Sequence, residues 1–271
     1  MLQPPSAALP LGTLVALGGG NDDALLALLC GLLPSLDTPI EILTTAARDP
    51  ARTAAAYEKA FRDLGCTAAR HLPISEDHPA DAPATLHRLG RAGVVFFTGG
   101  DQERIAEFVR GTEFLARLQH RFRTELAFVV AGTSAGAAAL PAHMLVEGHG
   151  WQAMRKGGIQ TMMGLELLPD LLIDQHFVER GRFGRLMHAL LVYPGCLGLG
   201  LAEETGVIVR GGAVAEVFGD GVVLVLDGHQ LRGNNIEQAV RGASVSGQDL
   251  RVHLLVAGQH LDLRTRQMVP G

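Results

Sequence analysis

Short apolar runs alternate with longer amphipathic or charged segments over most of the chain. Runs of this kind, rich in Val, Ile, Leu and Phe, are typical of buried strands, whereas the segments between them have the length of helices. Strands that alternate with helices predict parallel βαβ units, so we expect an α/β protein with helices on both faces of a mostly parallel sheet. The predicted strands are residues 13–17, 40–44, 66–72, 94–97, 127–131, 171–173 and 197–201.

The pattern changes after residue 206, where short apolar runs follow one another with glycine-containing turns between them. Two-residue turns at 211–212 and 220–221 predict antiparallel hairpins. Residues 1–12, rich in proline and alanine, are expected to be a loose leader, and residues 13–271 a single domain. We expect one charged helix between residues 102 and 123. Residues 143–170 lack a clear period and are either a cover over a site or a satellite hydrophobic cluster.

Composition excludes several classes of protein. The chain has 271 residues, 47% of them hydrophobic, which suffices for a large core, and a net charge of -5, which disfavours a nucleic-acid partner. The apolar run 24–33 follows Asn-Asp-Asp rather than a basic stretch and is too short to cross a bilayer. The three cysteines are scattered and predict neither a metal site nor a disulfide framework. We therefore expect a cytoplasmic protein without membrane, metal or cofactor.

One predicted strand ends in a sequence that is typical of a nucleophilic serine. Residues 132–136 read Gly-Thr-Ser-Ala-Gly, and small residues that suit a tightly packed helix follow. In a G-x-S-x-G turn the serine hydroxyl is exposed at the end of the sheet, where bulky flanking side chains would block it. Ser134 is therefore the candidate nucleophile. The alternative is a Gly/Ser-rich connection without chemistry.

A nucleophilic serine needs a base and an acid that orients the base. Among the eleven histidines, His176 directly follows a buried strand that we expect to share a sheet edge with Ser134. Glu203 and Glu204 follow another predicted strand. One of them, Glu203 by preference, is expected to accept the second ring N–H of the histidine, and the other to be a solvated charge.

Two backbone N–H groups, those of Gly100 and Ala135, are the expected donors to an oxyanion, because a glycine pair at 99–100 allows close approach of the backbone.

A different set of catalytic residues, in another order along the chain, is also open. Ser134, Asp227 and His253 would follow the serine–acid–histidine order of the α/β-hydrolases. The last two lie in the predicted hairpins, so this alternative fits less well.

Three arginines, Arg180, Arg182 and Arg185, lie close together just after the candidate base. Positive charge at a helix start opposes the helix dipole, so helix stability does not explain them. Guanidinium groups pair with carboxylates through two hydrogen bonds, and the cluster therefore indicates an acidic substrate. The alternative is a solvated basic turn paired with surface acids.

The glycines at 18–20 are either a tight turn or, less favoured, a phosphate cradle.

At these residues the sequence resembles the cyanophycinases, serine peptidases related to the α-aspartyl dipeptidases. The resemblance extends over residues 13–260, and four segments carry it most clearly. They are F-T-G-G-D-Q at 97–102, G-T-S-A-G-A at 132–137, D-Q-H-F at 174–177 with R-G-R-F-G-R at 180–185, and G-L-A-E-E-T at 200–205. The sequence departs from the common pattern in two places: Asn-Asp-Asp at 21–23 stands where an acidic residue followed by a basic one is usual, and Ala202 where an aspartate often precedes the glutamate.

The resemblance implies a flavodoxin-like sheet, similar to that of class I glutamine amidotransferases, and a homodimer. It implies Ser134 as nucleophile, His176 as base and Glu203 as orienting acid. It further implies a substrate pocket formed by Gln102, Asp174, Gln175, Arg180, Arg182 and Arg185. The implied substrate is cyanophycin, a polyaspartate that carries arginine on each side chain, which such enzymes cut into β-Asp-Arg dipeptides. A dipeptidase acting on aspartyl or isoaspartyl peptides and a binding protein without catalysis are the alternatives.

Overall fold

The computed structural model describes residues 9–270. Within these residues fifteen strands follow one another along the chain. They are β1 (Thr13–Leu17), β2 (Ile40–Leu43), β3 (Ala69–His71), β4 (Val94–Phe97), β5 (Val129–Thr133), β6 (His143–Glu147), β7 (Gln160–Met163), β8 (Leu171–Asp174), β9 (Leu197–Leu201), β10 (Thr205–Arg210), β11 (Val214–Gly219), β12 (Val223–Asp227), β13 (Arg251–Leu255), β14 (His260–Asp262) and β15 (Gln267–Val269).

Seven α-helices and one 3₁₀ helix (Gly150–Met154) connect these strands within the same described residues. The α-helices are α1 (Asp23–Leu32), α2 (Pro50–Asp63), α3 (Pro83–Arg91), α4 (Gln102–Val109), α5 (Glu113–Thr124), α6 (Ala135–Ala139) and α7 (Phe183–Val192). The longest of them, α2, has 14 residues. In the described part of the chain, no helix has the length and apolar character needed to cross a bilayer.

The central sheet has nine strands in the order β15-β14-β11-β10-β1-β5-β4-β2-β3. Its five strands from β1 to β3 are parallel to one another, and the remaining four are antiparallel. Across the parallel half the strands follow the order β3-β2-β4-β5-β1. This is the flavodoxin order 2-1-3-4-5 when counting begins at β2 and β1 is taken as the fifth strand. The expected α/β fold with antiparallel hairpins near the end of the chain is thus confirmed.

Side chains that alternate along the parallel strands contact different helices, as the period of two requires. Val94 and Phe96 of β4 pack with the cluster that contains α1 and α2, whereas Val95 and Phe97 pack with the cluster that contains α3 to α6. Both faces of this half of the sheet are therefore covered, which gives three layers. This double burial explains why the strands read as continuous apolar runs.

A second sheet of four strands, β13-β12-β9-β8, lies beside the first and corrects one sequence expectation. We expected the strand before His176 to share a sheet with the strand before Ser134. Instead β8 pairs with β9 in the second sheet, whereas β5 pairs with β1 and β4 in the first. One face of the second sheet joins the main core and α7 covers the other. The two segments therefore meet at the junction between two sheets.

The charged segment after β4 forms two helices, so the expectation of one helix was wrong. Gly111, with φ of +73°, separates them. Thr112 then begins α5, and its hydroxyl accepts a hydrogen bond from the N–H of Leu115 at 3.2 Å. This is a favourable N-terminal cap, which explains why a new helix begins at this point.

Three further expectations compare with the structure as follows. Residues 1–8 of the predicted leader lie outside the described residues, whereas the N–H groups of Leu11 and Gly12 donate to carbonyl oxygens at the end of α5. The stretch 143–170 holds the hairpin of β6 and β7 and the 3₁₀ helix, and so is more regular than expected. The sulfur atoms of Cys30 in α1 and Cys66 after α2 lie next to each other, a proximity that the scattered spacing of the cysteines did not indicate.

Candidate active site

Ser134 lies in the turn between β5 and α6, in a backbone conformation that is rare outside glycine. Its φ is 50° and its ψ -113°, a region that costs on the order of 1–3 kcal/mol and persists only where the surroundings hold it. The flanking glycines are required by space. A Cβ at Gly132 would lie 2.5 Å from the carbonyl carbon of Gly136, and a Cβ at Gly136 would overlap the backbone of Phe97. The segment therefore forms the strand–turn–helix geometry that exposes a serine hydroxyl.

A line of hydrogen bonds joins this hydroxyl to an imidazole and a carboxylate. The Oγ of Ser134 lies 2.8 Å from Nε2 of His176, and Nδ1 of the same ring lies 2.6 Å from Oε1 of Glu203. The histidine follows β8 and the glutamate follows β9, so two parallel strands of the second sheet deliver them together. Of the two glutamates that the sequence left open, Glu203 is the one that reaches the ring.

Three successive backbone carbonyls, at the end of β1 and in the turn that follows it, hold the three segments of the site in place. Each accepts a hydrogen bond from an N–H group of one segment, which ties the end of the first sheet to the ends of β8 and β9. The bonds run from Ser134 N to Leu17 O at 3.0 Å, from His176 N to Gly18 O at 2.8 Å and from Glu204 N to Gly19 O at 2.7 Å. The turn after the first strand is therefore the hub of the site.

The side chains around this turn explain why its residues are glycines. A Cβ at Gly19, whose φ is +101°, would overlap the imidazole of His176, and a Cβ at Gly18 would overlap the carbonyl oxygen of Ala202. A Cβ at Gly20 would lie 3.1 Å from that of Glu203. Sequence reasoning considered only a tight turn or a phosphate cradle here. The run of three glycines was the sign in the sequence that the backbone is approached closely here. The residues that approach it lie more than 150 positions further along the chain, so the sequence did not indicate which they are.

The protonation of His176 suits a base. Burial lowers the pKa of its imidazole below the ordinary value of 6.5, and the positive charges of Arg180 and Arg182 lower it further, while the hydrogen bond with Glu203 raises it. The ring is therefore neutral at neutral pH. With its Nδ1–H directed to the carboxylate, Nε2 has a free lone pair toward the serine hydroxyl.

The two candidate oxyanion donors belong to the turns after β5 and β4. The N–H of Ala135 is the first of α6, a position that has no intrahelical acceptor. In the other turn, a Cβ at Gly99 would lie 3.4 Å from the Cβ of Ser134, so Gly99 lies next to the candidate nucleophile. Gly100 has φ of +139°, and a Cβ there would overlap the carbonyl oxygen of Ala46. This backbone approach is possible for glycine only.

The structure contradicts the alternative that uses Asp227 and His253. Asp227 pairs with Leu197 at the start of β9, whereas Glu203 follows the other end of that strand. The carboxylate of Asp227 accepts hydrogen bonds from His229 and Arg266 instead. Asp227 therefore lies at the end of the second sheet opposite to Glu203, and His253 lies in the edge strand β13, paired with Val225.

Comparisons with known proteins identify the family of this chain. Residues 43–217 match the profile of peptidase family S51. The chain belongs to this family. It is 32% identical over 261 residues to the cyanophycinase of Synechococcus elongatus, a match that covers 95% of this chain and 81% of the relative. It is 30% identical to the cyanophycinase of Trichormus variabilis, with 86% and 78% of the two chains covered.

A solved structure shows the same fold. It is the crystal structure of a peptidase from an acI-B1 Actinobacterium, which superposes with a TM-score of 0.67 at 19% sequence identity, over 94% of this chain and 98% of the other. Because the chain belongs to peptidase family S51 and is similar to these relatives, it is a serine peptidase and hence a hydrolase. We call it the S51 chain below.

The arginines of this peptidase have a different environment from the one expected. Two of them are buried and bind Asp174, whose own side chain is fully buried. Arg185 donates from Nε to the Oδ2 of Asp174 at 2.7 Å and from Nη2 to its Oδ1. Arg182 donates to Oδ1 of the same carboxylate at 3.3 Å, and at 2.5 Å to the side-chain oxygen of Gln175. They are therefore neither a solvated turn nor paired with surface acids, and only Arg180 is exposed.

This buried group carries more positive than negative charge, because two guanidinium groups share one carboxylate. Burial lowers the pKa of Arg182 to about 10, although the neighbouring Asp174 raises it. Within the described part of the chain, the Nε of Arg182 and the Nη1 of Arg185 are buried without an acceptor. The cluster is therefore a buried, positively charged group close enough to act on His176 electrostatically, with donors that have no acceptor.

Gln102, the remaining pocket residue expected from the resemblance, is the first residue of α4. Its amide nitrogen donates to the carbonyl oxygen of Leu145 in β6 at 3.3 Å. The contact joins the glycine turn at 99–100 to the hairpin of β6 and β7. The hairpin also packs close to Arg185, because a Cβ at Gly148 would lie 3.1 Å from the Cβ of this arginine.

Proposed function

We propose that the S51 chain hydrolyses backbone amide bonds of cyanophycin, multi-L-arginyl-poly-L-aspartate, and releases β-Asp-Arg dipeptides. The observation that carries the proposal is the hydrogen-bonded line from Ser134 through His176 to Glu203. The two curated relatives named cyanophycinase, at 32% and 30% identity, support the choice of substrate.

In the proposed reaction Ser134 is the nucleophile. His176 Nε2 takes the hydroxyl proton as Oγ attacks the carbonyl carbon of an aspartyl amide, and the N–H groups of Gly100 and Ala135 receive the developing oxyanion. The protonated ring then gives its proton to the leaving amine, which produces an acyl-enzyme. A water molecule, deprotonated by the same ring, attacks the acyl carbon, and the ring returns this proton to the Oγ of Ser134 as the acid leaves. Glu203 keeps the Nδ1–H in place throughout.

The substrate groups that the chain would bind follow from the charges around the site. Each arginine attached to the polymer has a free α-carboxylate, and the exposed guanidinium of Arg180 is suited to pair with it through two hydrogen bonds. Arg182 and Arg185, with Asp174 and Gln175, would form the charged wall of the pocket, and Gln102 its opposite side. Binding of a carboxylate there is favoured because the buried layer has a net positive charge.

The test is mass analysis of the products after incubation with purified cyanophycin. We expect β-Asp-Arg from the wild-type chain and none from Ser134→Ala. Ser75→Ala is the matched control, because the Oγ of Ser75 lies 3.2 Å from Nδ1 of His78 in an exposed serine–histidine pair outside the site. Dipeptide release by Ser134→Ala at the wild-type rate would refute the assignment of the nucleophile.

A panel of substrates separates this function from its alternatives. A chain that cleaves α-Asp-X or β-Asp-X dipeptides and leaves the polymer intact is a dipeptidase of the same family. A chain that binds the polymer and cleaves nothing, and whose serine does not react with a fluorophosphonate probe, is a binding protein on this fold.

We also propose that the chain forms a homodimer and is located in the cytoplasm. Light scattering of the purified chain and fractionation of cells that express it test the two statements.

A further inference from the structure

Asp22 has the position of a helix cap but does not act as one. It is the residue before α1, where an aspartate side chain usually accepts a hydrogen bond from the first turn of the helix. Its carboxylate makes no such bond in the structure. The side chain is half-buried and binds groups outside its own helix, and this conformation needs another explanation.

The carboxylate of Asp22 binds two hydroxyl groups from other parts of the fold. The hydroxyl of Thr133 donates to Oδ1 at 2.7 Å, and the hydroxyl of Tyr57 in α2 donates to Oδ2. Burial raises the pKa of Asp22, and the charge of Asp22 together with burial raises the pKa of Tyr57, so the tyrosine remains a donor. Both oxygens of the carboxylate are thus engaged.

These contacts hold the residue that directly precedes the nucleophile. Thr133 is the last residue of β5 and is itself buried, and Ser134 after it has the strained φ of 50°. Asp22 follows the glycine turn by two residues, and the N–H of Ser134 donates to the carbonyl oxygen of Leu17 just before that turn. We propose that Asp22 is a positioning residue, which fixes Thr133 and so keeps the hydroxyl of Ser134 in line with His176. The proposal builds on the role of Ser134 proposed above.

The charge of Asp22 also acts on the base. Its side chain interacts electrostatically with His176 and with Asp23, and it faces the hydroxyls of Tyr57 and Thr133. The charged groups that act most strongly on His176 are Glu203, Arg180 and Arg182, and the interaction with Asp22 is weaker. A negative charge on the nucleophile side of the ring favours the imidazolium that forms as the serine loses its proton. Loss of this charge should therefore move the acid limb of the reaction to lower pH.

The experiment measures the rate constant for labelling of Ser134 by a fluorophosphonate probe between pH 5 and 9, so that it does not depend on the natural substrate. We expect Asp22→Asn to lower the plateau rate about tenfold or more, because small displacements of a nucleophile are costly, and to shift the acid limb to lower pH. Thr133→Val should lower the plateau with less shift, since the charge remains. Thr133→Ser, which keeps the hydroxyl, should restore the rate.

Asp23→Asn is the matched control, because it removes an equal charge from the adjacent, exposed residue of the same turn and should change neither quantity. Thermal melting of every variant separates misfolding from mispositioning. Wild-type labelling kinetics in both Asp22→Asn and Thr133→Val would overturn the inference and leave the proposed nucleophile intact. Failure of the wild-type chain to react would overturn the proposed function and the inference with it.

Discussion

The backbone N–H of His176 donates a 2.8 Å hydrogen bond to the carbonyl oxygen of Gly18. This bond joins two sheets, because Gly18 follows β1 of the central sheet and His176 follows β8 of the second. The neighbouring carbonyls bind the segments of Ser134 and Glu204 in the same way. The geometry of the candidate site therefore depends on the turn after the first strand.

Substitution of Gly19 tests this dependence. A Cβ at this position would overlap the imidazole, and a φ of +101° is unfavourable for alanine. We expect Gly19→Ala to reduce peptidase activity at least a hundredfold, because the ring must move away from the serine. Gly31→Ala is the control, since a Cβ there has nothing within 4 Å and lies in helix α1. Equal activity of the two variants would contradict the role of the turn.

The two adjacent glutamates should differ sharply in their importance. Glu203→Gln keeps the size of the side chain but removes the charge that stabilises the imidazolium and the tautomer with Nδ1–H, so kcat should fall by about two orders of magnitude or more. Glu204→Gln should retain activity within a few-fold, because this side chain does not contact the ring. Steady-state kinetics of both variants decide the matter. A larger loss in Glu204→Gln would reverse the assignment.

The acid limb of the pH–rate profile should lie below pH 6.5. Burial lowers the pKa of His176, so the ring remains a neutral base to lower pH than an exposed histidine, and activity is lost as the pH falls through the lowered value. Arg180 lowers this pKa further, so Arg180→Gln should move the limb to higher pH. Profiles of kcat/KM for the wild-type chain and this variant provide the measurement. An unchanged limb would show that the two side chains are not coupled.

Removal of the Asp174 charge should lower the free energy of unfolding more than removal of a surface carboxylate. The carboxylate of Asp174 and its partner Arg185 are 0% and 1% exposed, and Asp174→Asn would leave two buried guanidinium groups without a counter-charge. We expect a loss of about 3–5 kcal/mol in the free energy of unfolding. Asp249→Asn is the control, as its partner Arg232 is 79% exposed and such pairs contribute about 1 kcal/mol or less. Urea denaturation distinguishes the two values.

Local patterns in the sequence were enough to predict the α/β class, most of the strands and the turn that contains Ser134. Buried parallel strands must be apolar over their whole length, and the turn at Ser134 requires glycines on both sides, so both features are visible within a few neighbouring residues. The order of strand ends along the chain also indicated His176 and the glutamate pair at 203–204 as partners for the serine, and the structure decided between the two glutamates.

Only the tertiary structure decided that these residues come from two sheets, that the glycines at 18–20 join them, and that Arg182 and Arg185 bind Asp174. It also decided the contact between Asp22 and Thr133, which are 111 positions apart. Such contacts depend on how segments that are distant along the chain pack together. Periodicity and turn chemistry report the conformation of a segment and leave open which other segment it meets.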